Sequence, residues 1–202
     1  KKNGISAANF GDAAMFSTHA TKVFHTIEGG IVCYKDKKRF EPMPKLVNFG
    51  FSSQEEIDYV GTNARLNEFE AVMGICNLRH FDEELAKRKV VGDRYYELLS
   101  GVKGIKLIDI PQNLEWNYAD FPVVFDGYKE NRDEIKSKLE KENIYARKYF
   151  YPIVNKAACY IDIYGTANVP VAAHAAECVL TLPMYADMTI DDVDRICAAI
   201  LR

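Results

Sequence analysis

The spacing of apolar and polar positions changes several times along this chain, and each change predicts an element. Two short apolar runs, Ala13-Ala14-Met15-Phe16 and Ile31-Val32-Cys33-Tyr34, flank a polar stretch that ends in Gly29-Gly30. That pattern predicts two strands joined by a long turn. From Leu66 to about Leu99 the period becomes helical: Leu66, Phe69, Val72, Met73 and Cys76 recur at steps of three and four, followed by Leu85, Val91, Tyr95 and Leu98. Such a length for one globular helix predicts a break near residues 80–82. All these apolar positions are expected to pack in a core, and Gly74 is expected to admit another helix closely.

Beyond Gly101 and Gly104 the pattern shortens. Ile105–Ile110 and Tyr118–Phe125 read as strands, with Pro122 expected at an edge or bulge. Asn131-x-x-Glu134 predicts a capped helix to about Glu142, and Ile144–Tyr151 a third strand. Pro170 suits the first residue of a helix through Val179. Thr189-x-x-Asp192 caps a last helix whose Val193, Ile196, Cys197, Ile200 and Leu201 share one face. At 202 residues the chain could hold one large domain or two small ones, and the mixture of strands and helices in this later part predicts a compact α/β second domain. Pro42 and Pro44 stand where a helix would otherwise be expected and predict its interruption.

Composition narrows the class. At 48% hydrophobic, 27% charged and a formal net charge of −3, the chain has ordinary globular values. It lacks the basic excess of a nucleic-acid partner. No apolar run approaches the ~18 residues of a membrane span, and no signal-peptide segment is evident. The five cysteines (Cys33, Cys76, Cys159, Cys178, Cys197) are odd in number and widely spaced, which predicts buried free thiols and a cytoplasmic setting. The histidines His19, His25, His80 and His174 show no metal-ligand spacing, so no metal is expected.

The turn between the first two strands holds the candidate chemistry. Lys22 is flanked by the hydroxyls of Ser17, Thr18, Thr21 and Thr26 and by His19 and His25. An amine among small donors and apolar neighbours suits Schiff-base chemistry, and the donors suit a phosphate. Arg147-Lys148-Tyr149-Phe150-Tyr151-Pro152 is a basic and aromatic run, suited to a nucleotide diphosphate and a stacked base. Read as a strand, it cannot turn all its polar side chains to one ligand.

The segment Ser17-x-His19-Ala20-Thr21-Lys22 followed by Ile27-Glu28-Gly29-Gly30 resembles the cofactor-lysine segment of the DegT/DnrJ/EryC1/StrS nucleotide-sugar aminotransferases. The likeness continues through Gly61-Thr62-Asn63-Ala64-Arg65-Leu66-Asn67-Glu68, the Arg147–Pro152 run and Leu182-Pro183-Met184-Tyr185. It implies the fold-type-I pyridoxal-phosphate (PLP) transferase fold. Residues 1–80 would be the C-terminal part of the large cofactor domain, and residues 81–202 the small C-terminal domain. The chain, which opens Lys-Lys-Asn-Gly, is then expected to be the later half of a longer protein.

The resemblance also implies roles. Lys22 would hold PLP and move the proton at the reacting carbon, and Ser17 would donate to the cofactor phosphate or simply satisfy its turn. Asn63 would reach the phosphate of a neighbouring subunit in a homodimer, or start a helix. Arg65 would meet an anionic substrate group, or a carboxylate of its own chain. His19 would neighbour cofactor or sugar, and Arg147, Tyr149 and Tyr151 would take the nucleotide. The reaction implied is amination of a nucleotide-linked keto-sugar, most like a dTDP-4-keto-6-deoxyhexose, with L-glutamate as donor. C3 amination, another PLP reaction on this fold, or a non-catalytic module are the rivals. His25 in place of the family's usual asparagine, and Ile153-Val154-Asn155 where relatives carry a histidine, depart from the family pattern. The branch that removes a hydroxyl carries histidine at the position of Lys22, and the lysine argues against it.

Overall fold

The computed structural model describes residues 1–202. The chain forms two compact units, residues 1–82 with 111–116, and residues 83–110 with 117–202.

In the first unit β1 (Ala13–Ser17) and β2 (Gly30–Tyr34) pair antiparallel, Ala13 opposite Tyr34 and Ser17 opposite Gly30. The expected hairpin is present. The two prolines leave a single helical turn, α1 (Met43–Leu46), with Pro42 at its cap and Pro44 in its first turn, where a missing N–H breaks no helical bond. Residues 111–116 join this unit through Glu115, whose N–H donates to the Lys1 carbonyl at 2.8 Å and whose carboxylate pairs with the Lys1 ammonium at 3.1 Å.

The helix α2 (Glu68–Leu99) is continuous over 32 residues, so the expected break near residues 80–82 does not occur. No glycine or proline lies between residues 75 and 91, and helix formers dominate there. Pairs one turn apart, Glu83 with Lys87 at 2.9 Å and Lys89 with Asp93 at 2.5 Å, add support. What changes at residues 82 and 83 is the unit that the helix serves. Its start is a reciprocal cap: Asn67 Oδ1 accepts from the Glu70 N–H at 3.0 Å, and Glu70 Oε2 accepts from the Asn67 N–H at 3.1 Å.

The core expected along this helix is half correct. Val91, Tyr95 and Leu99 are fully buried, but Phe69 is 86% exposed and Val72, Ile75 and Leu78 also face solvent. The two-stranded sheet of the first unit is too small a layer to cover them. Gly74 does admit a close neighbour, but it is the hairpin turn and no second helix. A Cβ at Gly74 would sit 2.9 Å from the Thr26 methyl group.

The second unit is built on a three-stranded antiparallel sheet in the order β3-β4-β5: β3 (Ile105–Leu107), β4 (Phe121–Phe125) and β5 (Val179–Leu182). Along β4 the side chains of Phe121, Val123 and Phe125 point into the core and alternate with half-buried ones. Pro122 therefore lies in the central strand, contrary to expectation. It pairs with Thr181 of β5, beyond the last residue of β4 that β3 reaches, so its missing donor is tolerated.

The third strand expected over residues 144–151 shrinks to one bridge between Arg147 and Thr181. After it the backbone turns, the Tyr149 N–H donating to the Arg147 carbonyl and the Tyr151 N–H to that of Lys148. β5 takes its place in the sheet. It follows a helix with no turn residue between, and so has no period of its own to read.

Four helices complete this unit: α3 (Arg132–Lys141), α4 (Ile161–Tyr164), α5 (Pro170–Cys178) and α6 (Ile190–Leu201). Both capping boxes read from the sequence are formed, Asn131 with Glu134 and Thr189 with Asp192. Val193, Ile196, Cys197 and Ile200 of α6 are buried, and Leu201 is exposed at the helix end. Tyr95 stacks on Phe121 at 4.6 Å and donates its hydroxyl to the Pro183 carbonyl at 3.0 Å. Arg94 grips Asp194 of α6 through two bonds, 2.6 and 2.9 Å.

The cysteines are all free. Only Cys197 is buried, where desolvation pushes its thiol up to about 12. Cys76 and Cys159 are exposed, one on the uncovered half of α2 and one on a loop, which corrects the expectation of buried thiols.

Candidate active site

The β1–β2 turn places Lys22 on a framework closed from beneath. The Thr18 N–H donates to the Gly29 carbonyl at 3.0 Å, and the Thr26 N–H to the Thr18 carbonyl at 2.8 Å. Thr18 and Thr26 are buried, and their hydroxyl oxygens lie 2.7 Å apart. Thr26 donates its one hydroxyl proton to the Glu28 carbonyl at 2.5 Å. Thr18 must then donate to Thr26. Gly29 adopts φ +138°, and a Cβ there would lie 2.7 and 2.8 Å from the two threonine oxygens; only glycine fits this crossing.

Above this pin the polar side chains sort themselves. Lys22 is exposed, its N–H donates to the His19 carbonyl at 2.9 Å, and its ammonium group forms no ion pair within the chain. Burial among this chain's own residues does not prepare Lys22, against the sequence expectation of an amine in apolar surroundings. Ser17 Oγ accepts from the His19 N–H at 3.3 Å, which leaves its own proton free to donate.

His19 Nδ1 accepts from the Thr21 N–H at 3.2 Å and meets the Thr21 hydroxyl at 2.9 Å. The other ring nitrogen therefore carries the proton in the neutral ring, and it lies 3.4 Å from Glu28 Oε1. His19 is thereby fixed within the turn. His25 is held from α2, where Asn77 Nδ2 donates to its carbonyl at 2.9 Å.

Asn63 and Arg65 lie on the exposed segment before α2. Asn67 caps that helix, so Asn63 is no helix-start residue, and it pairs by backbone bridge with Asn48. The segment is held by crossed backbones at two glycines: a Cβ on Gly61 would lie 2.2 Å from the Gly50 nitrogen. Arg65 meets no carboxylate; its guanidinium lies over the Phe49 ring at 5.6 Å.

In the second unit, Arg147 donates to the Tyr149 hydroxyl at 2.5 Å and lies against that ring, which stacks on Phe150 at 4.6 Å. Lys148 turns elsewhere and pairs with Asp133 at 2.5 Å. Tyr151 faces two cations, Arg132 at 5.1 Å and Lys148 at 5.5 Å. Arg132 is 3% exposed, pairs with Asp133 at 2.6 Å and donates to the Ala176 carbonyl at 2.8 Å. The Lys148 and Arg132 charges hold the Asp133 carboxyl below the usual range, Lys148 most strongly. The basic-aromatic run is thus two separate pairs, and the support of Lys148 and Tyr151 by Arg132 and Asp133 is not legible from residue spacing. Leu182–Tyr185 has a structural anchor too: Arg88 donates to the Met184 carbonyl at 3.1 Å.

Comparison with known proteins gives this arrangement a context. Residues 1–201 match the model of the DegT/DnrJ/EryC1/StrS aminotransferase family. The chain is 33% identical over 197 residues to a dTDP-4-amino-4,6-dideoxy-D-glucose transaminase of Shigella dysenteriae, covering 96% of this chain and 53% of that protein. The enzyme of the same name from Escherichia coli is 33% identical over 177 residues, 86% of this chain and 48% of that protein. Among solved structures, that of DesI in the presence of its TDP-sugar product superposes with a TM-score of 0.89 at 29% identity, over 99% of this chain and 51% of DesI.

The fold is that of the fold-type-I, PLP-dependent sugar aminotransferases. The chain belongs to the DegT/DnrJ/EryC1/StrS aminotransferase family. It spans about half the length of the curated relatives it matches.

Enzymes of this family are PLP-dependent, and the residues of the turn fit that cofactor. A Schiff base needs an amine outside any ion pair, and Lys22 offers one; a phosphate needs an uncommitted donor, and the Ser17 hydroxyl offers one on the same turn.

Proposed function

We propose that this chain contributes the lysine half of a PLP-dependent aminotransferase acting on a nucleotide-linked keto-sugar, with Lys22 as the cofactor lysine. The observation that carries the reading is the pinned turn: an exposed, unpaired amine on a segment locked by two buried threonines, in a chain that matches an aminotransferase family from residue 1 to 201.

PLP, when bound, supplies the electron sink that makes the carbon bearing the amino group acidic. The Nζ of Lys22 would take the proton from that carbon and deliver it to the C4′ carbon of the cofactor, so that the amino group stays with the cofactor, and would move the proton the opposite way when the keto-sugar receives the amine. Ser17 donates to the phosphate and so fixes one end of the cofactor, while the Thr18–Thr26 pin keeps the lysine turn from drifting. Asn63, exposed on a rigid segment, serves the phosphate of a second subunit, so the active site is shared in a homodimer. Arg65 and His19 border the sugar, and Arg147, Tyr149 and Tyr151 hold the nucleotide.

The names of the two transaminases point to a dTDP-4-keto-6-deoxyhexose that gains its amine at C4. L-glutamate is the donor that completes the cycle, and the cytoplasm is the place of action. Residues 1–80 are assigned to the cofactor domain and residues 81–202 to the small domain, apart from residues 111–116, which pack with the first unit. The test is turnover by the natural-length protein of dTDP-4-keto-6-deoxyglucose with L-glutamate, read as 2-oxoglutarate and the amino-sugar nucleotide. Amination of a 3-keto substrate alone would move the reading to C3, and no turnover of either would reject it.

A further inference from the structure

Far along the chain from the lysine turn, three side chains of different chemistry converge in the second unit. Asp126 follows directly on β4, and His174 and Cys178 stand four residues apart on α5, hence on one helix face. His174 Nε2 lies 3.5 Å from Asp126 Oδ2 and 3.8 Å from Cys178 Sγ, and all three ligand atoms fall within 4.8 Å of one another. Asp126 and His174 are 48 residues apart in sequence, which hides the group from any motif search.

Two readings of such a trio compete. A relay from cysteine through histidine to aspartate needs the two ring nitrogens to face opposite partners. Here Sγ lies almost equally far from the two ring nitrogens, 3.8 Å from Nε2 and 3.9 Å from Nδ1, and so faces neither of them alone, while Nε2 lies 3.5 Å from the carboxylate; no relay runs through the ring. Convergence on one point is instead what a chelate needs. For zinc–nitrogen and zinc–oxygen bonds of about 2.0–2.1 Å and a zinc–sulfur bond of about 2.3 Å, tetrahedral angles place nitrogen and oxygen about 3.3 Å apart and nitrogen and sulfur about 3.6 Å apart. The observed 3.5 and 3.8 Å are within a few tenths of both, and because Sγ also lies 3.9 Å from Nδ1, the exposed His174 ring must turn to aim Nε2 at the ion.

We propose that Asp126, His174 and Cys178 bind a divalent transition-metal ion of the zinc type, with water as the fourth ligand. Imidazole, thiolate and carboxylate together suit such an ion. The ion would clip α5 to the end of β4. One group opposes it: Lys106 on β3 holds Asp126 Oδ2 at 2.5 Å, the oxygen that also faces His174. Binding must loosen that ion pair and release the thiol proton.

Cobalt(II) added to the natural-length protein, free of any affinity tag and read as difference spectra, tests this. The expected result is one equivalent bound, with the visible bands of tetrahedral cobalt and a thiolate-to-cobalt charge-transfer band. Cys178→Ser removes that band. His174→Ala, at a side chain 61% exposed whose loss disturbs no packing, weakens binding by at least about tenfold, since even loss of an outer-shell partner costs about 10–100-fold. Lys106→Met, which removes the competitor and no ligand, tightens binding. Absence of the bands in the wild-type protein overturns the proposal. So does a band that persists in Cys178→Ser and is lost in Cys76→Ser or Cys159→Ser, or affinity unchanged in both His174→Ala and Lys106→Met.

Discussion

The hydroxyl oxygens of Thr18 and Thr26 meet at 2.7 Å within the turn that carries Lys22, eight residues apart and both buried. The pair converts a long surface connection into a fixed mount for a reactive amine. Because Thr26 passes its proton to the Glu28 carbonyl and accepts one from Thr18, the two threonines are not equivalent. Thr26→Val strands both the carbonyl and the Thr18 hydroxyl and should cost about 1–3 kcal/mol, whereas Thr18→Val removes only a donor and should cost about 1 kcal/mol. Urea unfolding of the two variants checks the order, and a larger loss in Thr18→Val would mean that the proton runs the other way.

Glycine at position 29 is required for two reasons that act together, its φ of +138° and the threonine oxygens under its Cα. Gly29→Ala should destabilise by roughly 1–3 kcal/mol. Gly127 also has positive φ but nothing within 4 Å of a Cβ, so Gly127→Ala serves as the control and should lose less. Melting temperatures of the two variants against the wild type decide it.

Asp133 ties Lys148 and the buried Arg132 together, and those cations hold its carboxyl below the usual range. A depressed folded-state pKa contributes stability that is present above the unfolded value of about 3.9 and is lost as pH falls through the folded one. Asp133→Asn should therefore be less stable than wild type at neutral pH, and the gap should close as the pH is lowered below about 4. Denaturation midpoints of both proteins across that window test the sign, and a gap that stays constant would contradict it.

The hairpin, the two capping boxes and the α6 face were legible from the sequence, because each rests on residues close together in the chain. What failed was long-range. The first half of α2 has the apolar period of a core helix, yet Phe69 and Val72 stand in solvent, since period reports a face and not what covers it. Residues 144–151 alternate like a strand, yet Val179–Leu182 occupies the sheet, because register is settled between segments and not within them. For the site, the Lys22 segment could be read from its resemblance. The roles of Thr18 and Thr26 as a buried pin, and of Arg132 as the support for Tyr151, needed coordinates.

Asn63 and Arg65 present exposed side chains, and neither pairs with a carboxylate of its own chain. Asn63→Ala and Arg65→Ala should leave stability within about 0.5 kcal/mol of wild type. On the proposed reading, Asn63→Ala weakens PLP retention and Arg65→Ala raises the KM for the keto-sugar nucleotide. Equilibrium dialysis with PLP and steady-state kinetics separate the two effects. Unchanged values in both variants would remove these residues from the site.

On the proposed function, Lys22 is the residue that holds PLP. Borohydride reduction of the natural-length protein with PLP, followed by proteolysis and mass spectrometric mapping, tests it directly. A pyridoxyl group is expected on the peptide containing Lys22 and on no other lysine, and it is lost in Lys22→Ala. A pyridoxyl group confined to a different lysine, or none at all, would rule out Lys22 as the cofactor lysine.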